Sequence, residues 1–200
     1  MIARAGCPVH LVGHSFGGAG ALAVAARGMA PIRSLTVIEP TVFDLLRQAG
    51  ELALYQQVTT MRAGYFRAFA GGEQEAARRV IDFYGGRDSF DALPQRMREY
   101  VVATTPSNIR DWRTGFDGPL PPFGDIQVPS HVLRGEHGHR AMARCTEILA
   151  GILPNAALTT VAGAGHFMIA SHAGDVARLV SGAVTAREQR GTHELWSCEP

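Results

Sequence analysis

The 200-residue sequence is short of cysteine and of charge, and each shortage excludes something. The three cysteines, Cys7, Cys145 and Cys198, are an odd, widely spaced set. They speak against a disulfide framework and match no metal-ligand spacing, which suits a reducing compartment, so cytoplasm is the expected location. Charged residues make up 18% and nearly cancel, leaving a net charge of +1. That leaves no basic footprint for nucleic acid and no acidic tail. No apolar run is long enough to span a bilayer. Arg4, Gly6 and Pro8 interrupt any signal-peptide pattern. Internal repeats are absent as well. A hydrophobic content of 46% is enough for a real core, in a length that suits one domain with an inserted lid.

The chain's sharpest local signal is Leu11-Val12-Gly13-His14-Ser15-Phe16-Gly17-Gly18. A short apolar strand turns abruptly into a small-residue helix, with a serine at the corner. This is the Gly-x-Ser-x-Gly elbow. The turn strains the serine backbone, so small neighbours are needed on either side, and Gly13 and Gly17 supply them. The hydroxyl then stands at the amino end of a helix, where free N–H groups favour negative charge.

Strand signals follow at Ser34 to Ile38, Ser130 to Arg134 and Ala157 to Val161, after a first at Pro8 to Val12. Between the elbow strand and Ser34 lies an Ala- and Gly-rich helix from Gly17 to Arg27, a pattern that implies a right-handed parallel crossover. From Thr41 to about Asp125 the pattern is helical. Segments start at Phe43, run from Leu52 to Phe69, from Glu73 to Tyr84 and from Leu93 to Thr104, and end in a linker over Gly118 to Gly124. The aromatic stretch Tyr55 to Phe69 is expected to supply both helix core and pocket wall. Helices are expected from Ala141 to Leu153 and from Asp175 to Val184, and residues 186–200 read as a disordered tail.

A nucleophilic serine needs a base within hydrogen-bond reach. Among eight histidines, His166 has the best context. It sits in the loop Gly163-Ala164-Gly165-His166 after the last strand, at the carboxyl edge where the elbow also emerges. His14 points away from Ser15 and reads as a packing or pocket residue. His131, His137 and His139 cluster, but without a carboxylate or a second group at ligand spacing they do not suggest a metal. His10 and His172 have no special context.

The elbow, the paired histidine loop, the stretch Ser34 to Phe43 and the helical insert resemble the α/β-hydrolase superfamily, in its capped bacterial form. The resemblance covers roughly Cys7 to Val184. It implies an α/β fold in which a parallel sheet carries a helical cap: residues 1–40 and 126–185 as core, 41–125 as cap. In that fold the elbow follows the fifth strand, so the chain is similar to the C-terminal portion of such an enzyme. The resemblance implies acyl transfer through Ser15, His166 and an acid, on an ester or related small acyl substrate and without a cofactor. The usual acid position, after Arg134, holds Gly135-Glu136-His137-Gly138 and no Asp. Glu136 is the nearest carboxylate. Glu39, at the end of the strand after the elbow helix, matches where some haloalkane dehalogenases place theirs, and it is the favoured acid. The Phe16 N–H is the implied oxyanion donor, with the second donor belonging to a loop before the elbow that this chain does not contain. The competing expectation is a truncated relative, catalytically poor or a binding protein. Oligomeric state is not readable from the sequence.

Overall fold

Small side chains set the first architectural step. In helix α1 (Phe16–Ala26), Gly18, Ala21 and Leu22 are buried, and the helix lies close against strands β1 (Val9–His14) and β2 (Ile32–Ile38). A computed structural model describes residues 5–116 and 120–191 of the chain. Strands β3 (Ser130–Gly135) and β4 (Ala156–Val161) complete a parallel sheet of order β1-β2-β3-β4. The two central strands are its apolar spine: Leu35, Val37, Val132 and Leu133 are fully buried, as a parallel sheet covered on both faces requires. Strand β1 lies at the edge of this sheet, paired to β2 alone among the described residues, and Val12 on it is 45% exposed.

Between β2 and β3 the chain leaves the sheet for helices α2 (Asp44–Gln48), α3 (Leu52–Ala70), α4 (Arg78–Gly85) and α5 (Gln95–Phe116), and a 3-10 turn at Phe123–Asp125. Their inner faces join the main core through Leu45, Leu46, Val58, Tyr65, Val80, Tyr84, Ile109 and Trp112. Helix α6 (Arg140–Ile152) follows β3, and α7 (Met168–Ser171) and α8 (Ala173–Gly191) follow β4. Among the described residues, no helix is long and apolar enough to cross a membrane.

Three sequence expectations need correction. The helix expected to stop at Thr104 runs through Pro106 to Phe116. An internal proline costs about 3 kcal/mol, but Pro106 sits on the exposed side while Thr105, Ile109 and Trp112 are buried on the other, and that burial carries the helix past it. The tail expected to be disordered from residue 186 remains helical to Gly191, where Glu188 accepts hydrogen bonds from Arg33 and pairs with His10. Residues 192–200 lie outside the described residues, as do 117–119 of the expected linker. The third correction concerns the elbow. A Cβ on Gly13 would lie 2.5 Å from the Gly17 carbonyl oxygen, and one on Gly18 would lie 2.9 Å from Pro40 Cβ. A Cβ on Gly17 meets nothing within 4 Å. The tight positions are Gly13 and Gly18.

Gly13→Ala is therefore expected to cost several kcal/mol, because backbone at 2.5 Å cannot yield as a flexible side chain does. Gly17→Ala is expected to stay within about 0.5 kcal/mol of the parent. Urea unfolding of the two variants checks the ranking, and equal losses would contradict this account of the turn.

Candidate active site

Two strand ends and one loop converge at the carboxyl edge of the sheet. Ser15 follows β1, Glu39 follows β2, and His166 lies in the loop after β4. Backbone bonds stitch these ends together: Ser15 N–H donates to Ile38 O at 2.9 Å, Glu39 N–H to Leu133 O at 2.9 Å, and Thr41 N–H to Ser15 O at 3.2 Å. Ser15 has φ 53°, and Glu39 has φ 40°. Each is a left-handed conformation for a residue with a Cβ, costing about 1–3 kcal/mol, and such strain clusters at functional positions.

The three side chains form a continuous hydrogen-bonded row. Ser15 Oγ lies 3.1 Å from His166 Nε2, and His166 Nδ1 lies 2.7 Å from Glu39 Oε2. Glu39 is fully buried and His166 is 2% exposed. The carboxylate accepts, so Nδ1 carries the imidazole proton, and Nε2 accepts from the serine hydroxyl. The second Glu39 oxygen, Oε1, accepts from the Gly135 N–H at 2.8 Å. A Cβ on Gly138 would come within 2.7 Å of that same oxygen. The loop after β3 thus makes room for a glutamate reaching in from β2.

Glu136 does something else. Its Oε2 accepts the Gly163 N–H at 2.8 Å, which braces the loop that carries His166 without touching the ring. Phe16 begins α1 beside Ser15 and is 37% exposed. Its N–H is one of the unpaired donors at a helix start. Four other histidines take structural contacts: His10 with Ser34, His131 with Thr159, His139 as the N-cap of α6, and His172 with Ser171.

Two neighbours were only partly legible from the sequence. Tyr84 on α4 stacks on His166, with ring centroids 4.0 Å apart and planes at 17°. Its hydroxyl is buried with no hydrogen-bond partner among the described residues, and burial, with the charge of Glu39 adding, raises it well above the usual phenol range. Periodicity marks Tyr84 as a helix-core residue but cannot say which histidine it covers. On the other side, the His14 ring lies 4.9 Å from His166, with Nε2 donating to the His166 carbonyl at 2.9 Å. His14 thus both packs against His166 and holds it in place.

A cavity of about 300 Å³ opens over Ser15. Its wall comes chiefly from α4 and α5, with Tyr65 the one contribution from α3. The expected role of Tyr55 to Phe69 as pocket wall therefore narrows to Tyr65. The rest of that face packs inward or, like Phe69, is exposed.

Burial, with the nearby His166 adding, pulls the His14 pKa from 6.5 to about 4. The unfolded chain takes up this proton near pH 6.5 and the folded chain only near pH 4. The stabilisation is complete above pH 6.5 and is lost as pH falls, by up to roughly 3 kcal/mol. Urea unfolding at pH 7, 5 and 4 is expected to show this decline in the parent and a flatter one in His14→Gln. Parallel slopes would contradict it.

The sequence model described as the alpha/beta hydrolase family matches residues 1–179. A search of the curated proteins finds no match. Among solved structures, the chain is similar to MenH from S. aureus, at 18% identity and a TM-score of 0.66 over 90% of this chain and 69% of that one. It is similar to the enol-lactonase from Burkholderia xenovorans LB400, at 18% identity and a TM-score of 0.59 over 90% of this chain and 66% of that one. It is also similar to the 2-hydroxy-6-oxo-6-phenylhexa-2,4-dienoate hydrolase from Rhodococcus sp. strain RHA1, at 13% identity and a TM-score of 0.60 over 88% and 63%. The chain thus spans about two thirds of the length of these proteins. At such identities the likeness carries the fold, a parallel sheet with helices on both faces and an insertion after β2. Taken with the family match over residues 1–179, it means that this chain belongs to the alpha/beta hydrolase family.

Proposed function

We propose that this chain is a serine hydrolase of carboxylic esters or related small acyl compounds, with Ser15 as nucleophile, His166 as base and Glu39 as the acid. The observation that carries the reading is the unbroken hydrogen-bond chain from Ser15 Oγ to His166 and on to Glu39, at 3.1 and 2.7 Å. In this scheme Ser15 Oγ attacks the acyl carbonyl as His166 Nε2 takes its proton. Glu39 holds the ring in the correct tautomer and stabilises the imidazolium. The developing oxyanion is met by the Phe16 N–H and the amino end of α1. His166 then returns the proton to the leaving group. Water, activated by the same ring, releases the acid. No cofactor enters any step. The names of the similar proteins place a lactone and an oxo-dienoate beside simple esters among compounds worth testing.

A second reading is a member of the family that binds acyl ligands but turns them over poorly. It is favoured by the position of β1 at the sheet edge, with Val12 and Phe16 exposed beside the nucleophile. An oxyanion site lacking one donor would lose about a hundred- to thousandfold in rate.

A fluorophosphonate probe is expected to label the protein at Ser15 and to leave Ser15→Ala unlabelled. Glu39→Gln is expected to lower kcat/KM on a simple aryl ester by about 10³-fold or more, the scale of losing a triad acid. Glu136→Gln is expected to cost less than about tenfold, as loss of a loop brace. A larger loss in Glu136→Gln would move the acid role to Glu136. Labelling without turnover would favour the second reading.

A further inference from the structure

The cavity over Ser15 is small and lopsided. At the ~30 Å³ that one water occupies in the liquid, its 300 Å³ holds a ligand of roughly ten heavy atoms. Ala77, Val80 and Ile81 on the α4 side are apolar. The α5 side is not: Thr104, Asn108 and Asp111 recur at the i, i+4, i+7 spacing that puts them on one helix face, and all three line the cavity.

The hydrogen-bond state of this stripe is specific. Tyr65 Oη–H donates to Asn108 Oδ1 at 3.0 Å, and the Asn108 amide N–H groups have no partner among the described residues. Thr104 Oγ1–H donates to the Tyr100 carbonyl at 2.8 Å, which leaves its lone pairs to accept. Asp111 makes no hydrogen bond or ion pair among the described residues. It is nonetheless close enough to Tyr65 for its charge to add to burial in raising that phenol to about 12. Among the lining residues Asp111 is the only carboxylate, and no arginine is present to balance it. His14 is held neutral at pH 7. A half-buried carboxylate facing the cavity without a donor among the described residues awaits one.

We infer that the acyl group accepted here ends in a hydrogen-bond-donating, non-anionic group, an ammonium or a hydroxyl, held by Asp111 with Thr104 and Asn108, and that carboxylate-ended acyl groups are rejected. The inference rests on the hydrolase reading for the other end of the ligand, where the acyl carbonyl meets Ser15. An ammonium gives its protons to Asp111 and Thr104. A hydroxyl gives one to Asp111 and accepts from Asn108. A terminal carboxylate would face Asp111 with no cation among the lining residues to separate them. Asp111 is thus a specificity-determining residue that takes no part in the bond chemistry.

The test is made on binding, so that it survives a failure of catalysis. Ser15→Ala protein is titrated calorimetrically at pH 7 with methyl 6-aminohexanoate, methyl 6-hydroxyhexanoate, methyl heptanoate and monomethyl adipate. The amino and hydroxy esters are expected to bind at least about tenfold more tightly than the adipate. In Ser15→Ala/Asp111→Asn the amino-to-adipate ratio is expected to fall to within about threefold, while methyl heptanoate moves by less than that. Adipate binding as tightly as the amino ester in Ser15→Ala alone overturns the inference, whether or not the double variant folds. A preference that persists without the Asp111 charge overturns it too, as does no binding of any ester at about 10 mM. If the parent protein neither labels with fluorophosphonate nor cleaves these esters but the ranking holds, the hydrolase reading falls and this one stands. If the esters are cleaved with the adipate foremost, only this one falls.

Discussion

The buried carboxylate of Glu39 is the point on which the site depends. A fully buried carboxylate is costly unless its oxygens are paired, and both are: Oε1 takes the Gly135 N–H and Oε2 the His166 Nδ1–H. Those two donors come from the end of β3 and the loop after β4, while Glu39 itself caps β2. One side chain therefore fixes the relative positions of three adjacent strand ends. The Ser15 N–H, bonded to Ile38 O just before Glu39, adds the fourth. The same contacts that satisfy the charge also aim the imidazole at Ser15, so stability and orientation have a common origin. Removing the carboxylate would leave two buried donors unpaired, a structural loss as well as a chemical one.

What could be read from the residues and what could not separate along one line. Ser15 was legible because its requirements are local: a strand, a strained turn and a helix within a dozen residues. The strands were legible for the same reason, as short β-branched and apolar runs between glycine and proline breaks. His166 needed one topological step, that successive parallel strands bring their carboxyl ends to one edge. Glu39 was reached only by resemblance and by the empty acid position after Arg134. The glycine that admits it, Gly138, gave no signal of its own. Tyr84, Asn108 and Asp111 stayed hidden because helical periodicity shows that a face is buried, never what it is buried against. Gly17 and Gly18 exchanged roles for a similar reason. The Gly-x-Ser-x-Gly pattern names the residue two past the serine, but the close contact is with Pro40, a residue that only β2 brings near. Pro106 misled because its local cost is real and was outweighed by contacts far away in sequence.

The helical insertion does more than roof the site. Tyr84 from α4 lies flat on one face of His166, and His14 from β1 flanks the ring elsewhere. Water is thereby kept from the His166–Glu39 pair, whose hydrogen bonds are strongest in a low dielectric. The insertion is consequently part of the site's geometry, since moving α4 away would uncover the His166 ring as well as open the cavity. It also explains why the Tyr84 hydroxyl is tolerated without a partner among the described residues. The ring position is set by stacking on the imidazole, and the hydroxyl goes where that leaves it.

The division of labour across the cavity follows from this arrangement. The sheet side holds everything that must stay fixed: a strained serine, a buried acid and a histidine clamped by His14 and Tyr84. The α4 and α5 side lines the cavity with Asp111, Asn108 and Thr104. A carboxylate on the sheet side is obliged to pair, and Glu39 does so. A carboxylate on the helix side, at Asp111, pairs with no group among the described residues. Two acidic side chains at one site thus differ in whether the described residues already satisfy them.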